Sequence, residues 1–206
     1  MRSQFQPEFE YRDAVELAQK LGARMRTLSV DVLSDPRVTA NPADRCYYCK
    51  QNIMTAIRDA ARQDGYEMIC DGTNASDDLG DRPGARALRE YGIRSPLREC
   101  GLTKSMIRER SKEAGLPVWN KPAYACLATR ILTGEEITAE KLRTTEQAES
   151  LLFSMGFRDF RVRMRGDAAL IQVTGEQYEQ ALSMQEEISK TLAGMYSDIT
   201  IDDRTR

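Results

Sequence analysis

Histidine is absent from all 206 residues. Its absence removes the commonest general base, the commonest nitrogen ligand for metals and every Ser-His or Cys-His catalytic pair. No glycine-rich phosphate loop of the G-x-x-x-x-G-K or S-G-G-x-D-S kind occurs. No apolar run approaches the roughly 20 residues that cross a bilayer, and the opening residues carry no signal-peptide pattern. The net charge of −2 gives the whole molecule no attraction to nucleic acid or to an anionic membrane. Five cysteines make an odd number and no dense disulfide framework. The expected setting is cytoplasmic, with thiols kept reduced unless a metal takes them. Chemistry must therefore run on sulfur, carboxylates, lysine, arginine and bound cofactors.

What is present reads as an ordinary globular chain of one large or two modest domains. Residues 8–21 place Tyr11, Ala14, Val15, Ala18 and Leu21 at helical spacing, with Gly22 as a stop. Residues 26–33 alternate like a strand, and 36–42 read as a loop running into Cys46. A helix follows over about 47–63, with Ile53, Met54, Ile57 and Ala61 inward, then a short strand over 66–70. Helices are predicted from Pro83 to about Tyr91 and from a Thr103 cap to about Ala114, stopped by Gly115. Residues 117–135 read as a long loop. The pattern then changes to helix (139–155), strand (159–165), strand (168–174), helix (175–193) and strand (197–202), with a hairpin around Gly166-Asp167. The expectation is an α/β domain over 1–135 and a small α+β domain over 136–206, with the boundary near 133–138.

Three cysteines stand in loop-like settings flanked by cations. Cys46 and Cys49 lie in N-P-A-D-R-C-Y-Y-C-K, and Cys126 in K-P-A-Y-A-C-L-A-T-R. A Cys-x-x-Cys pair at a turn before a helix can aim both sulfurs at one centre, and Arg45, Lys50 and a helix N-terminus favour the thiolate. The residues alone leave several readings open. They are a soft-metal or cluster site, a structural zinc completed by Cys126 with Cys70 or Cys100, a redox dithiol, and an inert pair. After the 66–70 strand comes D-G-T-N-A-S-D-D, with Asp81 and Arg82 close behind. Ligands bind at such carboxyl ends of strands. Gly72, Thr73, Asn74, Asp77 and Arg82 are therefore candidates for holding a nucleotide, with Mg²⁺ on the acids; a solvated acidic turn is the plain alternative. Arg161, Arg163 and Arg165 alternate along a predicted strand and share one face, suited to a phosphate or to acidic neighbours.

These blocks, together with D-R-P-G-A-R-A-L-R-E and I-R-S-P-L-R-E-C-G-L-T-K, resemble the LarE family of ATP-dependent sacrificial sulfur transferases across nearly the whole chain. The resemblance implies an N-type ATP pyrophosphatase domain, a parallel-sheet fold, followed by a small C-terminal domain, and a homo-oligomer. It implies adenylation of a carboxylate of pyridinium-3,5-biscarboxylic acid mononucleotide and exchange of oxygen for sulfur, in the making of the nickel-pincer cofactor. One family type sacrifices the cysteine that matches Cys126. In the other, cysteines matching Cys46, Cys49 and Cys126 hold a [4Fe–4S] cluster, and this chain has all three. Arg161 and Arg163 fall where the family binds the substrate phosphate, and Glu149 near another substrate-site position.

The sequence also departs from the family. The family's pyrophosphate loop and first strand should precede residue 1. The polypeptide is therefore expected to have an incomplete sheet and to turn over ATP poorly compared with an N-terminally extended version. Gln172 stands where an acid is expected, and Leu170 where arginine is. Asp202 and Arg204 match the family's last segment loosely. Two rivals remain: a tRNA thiolase of the same superfamily, against which the lack of a basic stripe counts, and a non-catalytic, zinc-stabilised fragment.

Overall fold

A computed structural model describes residues 1–80 and 82–205; Asp81, a carboxylate of the acidic turn, lies outside the described residues. The chain divides into two compact units. The first comprises residues 1–3, 9–38 and 42–121, the second residues 4–8, 39–41 and 122–206.

The first unit is built on helices: α1 (Glu8–Lys20), α2 (Pro36–Thr39), α3 (Arg45–Gln63), α4 (Pro83–Glu90), α5 (Pro96–Glu99) and α6 (Lys104–Glu113). Helix α3 buries Ile53, Met54 and Ala60. It is zipped to α4 by Tyr47, whose hydroxyl donates to Glu90 at 2.7 Å and whose ring lies 3.7 Å beneath the Arg86 guanidinium. Helix α6 begins as expected, with the Thr103 hydroxyl accepting from the Met106 N–H. Gly115 then leaves the helix at φ +64, the left-handed region glycine enters freely.

Both strands expected in this unit fail to form. The strand read over 26–33 is a single bridge between Ser29 and Arg2, followed by a 3₁₀ turn at Val32–Ser34. The strand read over 66–70 is a single parallel bridge between Cys70 and Arg94. The expected parallel sheet is thus represented by two isolated bridges. Tyr66 and Met68 remain 62% and 64% exposed. Alternation alone does not make a strand when no neighbouring ladder pairs with the backbone and no layer covers the apolar face. The segment 36–42, read as loop, instead turns through α2. Asp35 sets that turn: its carboxylate accepts from the Arg37 backbone and guanidinium and from Asn52 of α3. The Arg37 guanidinium chiefly holds the Asp35 carboxyl down to about 2.

In the second unit, α7 (Ala139–Ser154) is capped by the Thr138 hydroxyl on the Lys141 N–H. Strands β1 (Arg161–Arg165), β2 (Ala168–Gln172) and β3 (Ile199–Ile201) form a mixed sheet in that order, β1–β2 antiparallel and β2–β3 parallel. Arg165 pairs with Ala168, so Gly166-Asp167 is the two-residue hairpin loop, with Gly166 at φ +57. Val162, Met164, Ala169 and Ile171 face Ala148 and Leu152 of α7, Phe160, and Ile188. The helix read over 175–193 is two helices, α8 (Gly175–Ser183) and α9 (Gln185–Thr191). The Ser183 hydroxyl donates back to the Gln180 carbonyl at 2.8 Å, a bond that competes with the helical ladder where the break occurs. No helix among the described residues is long and apolar enough to cross a membrane.

Candidate functional site

In the first unit the Pro-Ala-Asp turn over 42–44 feeds α3 through the Arg45 N–H, which donates to the Pro42 carbonyl at 2.9 Å. Cys46 and Cys49 then fall in the opening turns of α3 at i,i+3 spacing, on one helix face. Cys46 is exposed and Cys49 half-buried. Arg45, only 7% exposed, places a guanidinium nitrogen 3.4 Å from the Cys46 sulfur. Gly84, at the start of α4, lies against the same place. A β-carbon there would meet Lys50 Cγ at 3.6 Å and Cys46 Cβ at 3.9 Å.

The Asp71 carboxyl of the acidic turn also feels the charge of Lys50, the neighbour of Cys49 in the chain. Burial raises the Asp71 carboxyl, but the Thr73 and Ser95 hydroxyls and the Thr73 N–H outweigh it and hold it below its ordinary range. Asn74 donates its N–H and side-chain amide to Asp77, and Arg98 donates to the carbonyls of Asn74 and Asp77. Arg82 donates to the Asp78 carbonyl at 3.0 Å. The residues expected at a nucleotide, Gly72, Thr73, Asn74, Asp77 and Arg82, therefore form one local turn, braced largely by its own hydrogen bonds.

The second unit brings Cys126, Glu149, Arg161 and Arg163 together. Cys126 is exposed and caps a 3₁₀ turn, Leu127–Arg130. The loop around it is held by its carbonyls. Ala123 accepts from Arg161 at 2.6 Å, Ala125 from Arg130 at 3.0 Å and Thr129 from Arg163 at 2.9 Å. Arg130 and Glu149 form a buried ion pair, their side chains 0% and 2% exposed. Glu149 Oε1 accepts from Arg130 Nε at 2.8 Å and from the Val162 N–H at 2.9 Å. Its Oε2 accepts from Arg130 at 3.0 Å and from the Tyr124 hydroxyl. Burial, and next Glu149, push the Tyr124 phenol well above its ordinary range, so it remains a donor. Glu149, expected beside the substrate, is thus buried with both oxygens engaged. The sequence presents Arg130 only as a cation flanking Cys126 and offers no local signal for Tyr124, which the structure leaves half-buried between exposed Ala123 and Ala125.

Beside Arg163 opens a concave site of about 310 Å³. Among the described residues, Arg130, Arg163, Arg165 and Arg204 line it against one carboxylate, that of Asp202. Gln172 joins the two signs: its side-chain oxygen accepts from Arg163 and its nitrogen donates to Asp202 at 2.6 Å. The Gln172 amide chiefly, with the Arg204 N–H, keeps the Asp202 carboxyl below its ordinary range. The excess of guanidinium suits an anion such as a phosphate monoester. We expect Gln172→Glu to weaken inorganic phosphate binding by about tenfold or more. One added negative charge at about 4 Å costs on the order of 4 kcal/mol at an effective dielectric near 20, before solvent screening. Phosphate titration monitored by NMR shifts of the β1–β2 amides checks it; unchanged affinity would mean that the site is not an anion site.

Among the described residues, no group of three or more His, Cys, Asp and Glu side chains is gathered as a set that could hold a metal ion. The donor chemistry does fit a soft centre. The first unit presents two sulfurs from one helix face, and the second presents one exposed sulfur.

No family model matches the chain. It is 41% identical over 172 residues to an uncharacterized protein of Synechocystis, a match that covers 83% of this chain and 64% of that protein. It is 31% identical over 194 residues to the pyridinium-3,5-bisthiocarboxylic acid mononucleotide synthase of Lactiplantibacillus plantarum, across 94% of this chain and 70% of the synthase. An uncharacterized protein of Methanocaldococcus jannaschii is 29% identical over 183 residues, across 89% of this chain and 69% of that protein. The matches thus span between 64% and 70% of the length of these curated relatives.

Proposed function

The chain belongs to the LarE sulfur transferase family, and on that premise we propose that it takes part in converting carboxylates of pyridinium-3,5-biscarboxylic acid mononucleotide to thiocarboxylates during nickel-pincer cofactor synthesis. The observation that carries the reading is the exposed Cys126 thiol, on a loop whose carbonyls are fixed by arginines next to a guanidinium-rich concavity. A carboxylate oxygen is too poor a leaving group for direct displacement. ATP, with Mg²⁺, converts it to an acyl-adenylate with release of pyrophosphate; sulfur then adds to the acyl carbon and AMP departs with the bonding pair. The turn of Gly72, Thr73, Asn74, Asp77 and Arg82 contributes to the nucleotide site, and Arg163 serves the substrate phosphate; Arg161, expected there as well, is buried with its guanidinium on the Phe160 and Ala123 carbonyls and does not line the concavity.

Cys46, Cys49 and Cys126 would hold a [4Fe–4S] cluster. With three protein thiolates, such a group supplies one exchangeable iron position for a transferable sulfide. If it is absent, the Cys126 thiolate itself adds to the acyl carbon as AMP leaves, and loss of the Cys126 α-proton to a base with cleavage of its Cβ–Sγ bond leaves the sulfur on the product and dehydroalanine at position 126. The first unit offers no multi-residue strand among its described residues, and the sequence has no glycine-rich phosphate loop. ATP turnover by this polypeptide alone is therefore expected to be slow. The working form is a cytoplasmic homo-oligomer.

Binding tests the substrate reading without ATP. The pyridinium mononucleotide should bind more tightly than its dephosphorylated nucleoside, and Arg163→Gln should remove about 1.5–3 kcal/mol of that difference, the worth of a hydrogen bond to a charged group. Calorimetry on both ligands measures it. Equal affinity for nucleotide and nucleoside would refute a phosphate role for this face.

A further inference from the structure

We propose that Tyr124 is a positioning residue for Cys126, one that locks the loop over 123–130 into a single shape. The proposal rests on the reading of Cys126 as the sulfur site. Pro122, Ala123, Ala125 and Cys126 are all exposed, so Tyr124 is the one side chain of that stretch directed inward. Two like charges lie over its ring, with the Arg130 guanidinium carbon 4.6 Å and that of Arg161 5.1 Å from the ring centre. The negative charge on the ring faces attracts both cations. The same two guanidiniums hold the residues on either side of the tyrosine, at the Ala123 and Ala125 carbonyls. The hydroxyl closes the circuit on Glu149, the partner of Arg130.

Backbone, cations, ring and carboxylate therefore fix one another, and Cys126 follows two residues from the ring. Its own carbonyl is bonded by the Thr129 hydroxyl and N–H, and the Leu127 N–H donates to the Phe5 carbonyl at 2.9 Å. A tyrosine that merely filled the core would stabilise the unit as a whole. A positioning tyrosine governs this loop in particular, and transfer rate more than substrate affinity.

The test compares Tyr124→Leu and Tyr124→Phe in the full chain. Amide hydrogen exchange of Leu127 and Thr129 is followed, with the β1–β2 amides as internal control. In the Leu variant these two amides should exchange about tenfold faster while the control is unmoved, the mark of local rather than global opening. Sulfur transfer to a pre-formed acyl-adenylate should fall about 100-fold, the effect of a small misplacement of a reacting group, with substrate affinity held. The Phe variant keeps the ring and should recover most of both. If loop exchange is unchanged in both variants, the proposal is overturned whatever the transfer assay gives. If loop exchange rises selectively but the wild-type chain transfers no sulfur, the loop role of Tyr124 stands and the sulfur reading falls.

Discussion

Arg130→Met should destabilise the second unit by about 3–5 kcal/mol, the usual consequence of stranding one member of a buried ion pair. Neither side chain of the Arg130–Glu149 pair meets water to a useful extent. Removing the guanidinium would leave the Glu149 carboxylate buried with the Val162 N–H and the Tyr124 hydroxyl as donors. It would also release the Ala125 carbonyl. Arg130→Met combined with Glu149→Leu should recover much of the loss, because an apolar pair carries no desolvation cost. Urea denaturation followed through the second unit measures both. A single-variant loss below about 1 kcal/mol, the range of an exposed pair, would contradict the assigned burial.

Cys126→Ala should abolish sulfur transfer while changing stability by no more than about 0.5 kcal/mol, because an exposed side chain is removed. Cys46→Ala and Cys49→Ala should abolish transfer that depends on added iron and sulfide. Cys70→Ala and Cys100→Ala, both exposed thiols of the first unit outside the proposed set, should leave it intact. A single turnover with the pre-formed acyl-adenylate, read by mass spectrometry of the thiocarboxylate, separates these cases. Normal product from Cys126→Ala would remove the sulfur role from the loop. The contrast between lost chemistry and kept stability distinguishes a reacting thiol from a packing one.

The parts of the fold written in local code were readable from sequence. The Thr103 cap and the Gly115 stop bound α6, and Gly166-Asp167 closes the β1–β2 hairpin, because each depends on residues within one turn. The segments 26–33 and 66–70 alternate as strands do, but alternation does not say whether a ladder lies alongside, and here each has one bridge. The candidate site divides in the same way. The Cys46–Cys49 pair and the cations flanking Cys126 were legible, but Cys46 was read at a turn before the helix, whereas α3 begins at Arg45 and takes in both cysteines. The Arg130–Glu149 pair joins residues 19 apart in the chain, and no local pattern distinguishes it from two solvated charges. Tyr124 was unreadable for the same reason, since its partners lie on α7 and β1. The Gln172 link between Arg163 and Asp202 joins β1, β2 and the segment after β3, and it exists only once the sheet register is set.

The central claim is that Cys46, Cys49 and Cys126 act as one thiolate set. Anaerobic loading with iron and sulfide, followed by metal analysis of the wild type and of each cysteine variant, tests it most directly. The account predicts about four irons per chain in the wild type, the complement of a cubane cluster. Iron should fall in each of the three variants and stay unchanged in Cys70→Ala and Cys100→Ala. Full iron in Cys126→Ala, or one tightly held zinc with no iron uptake, would contradict it.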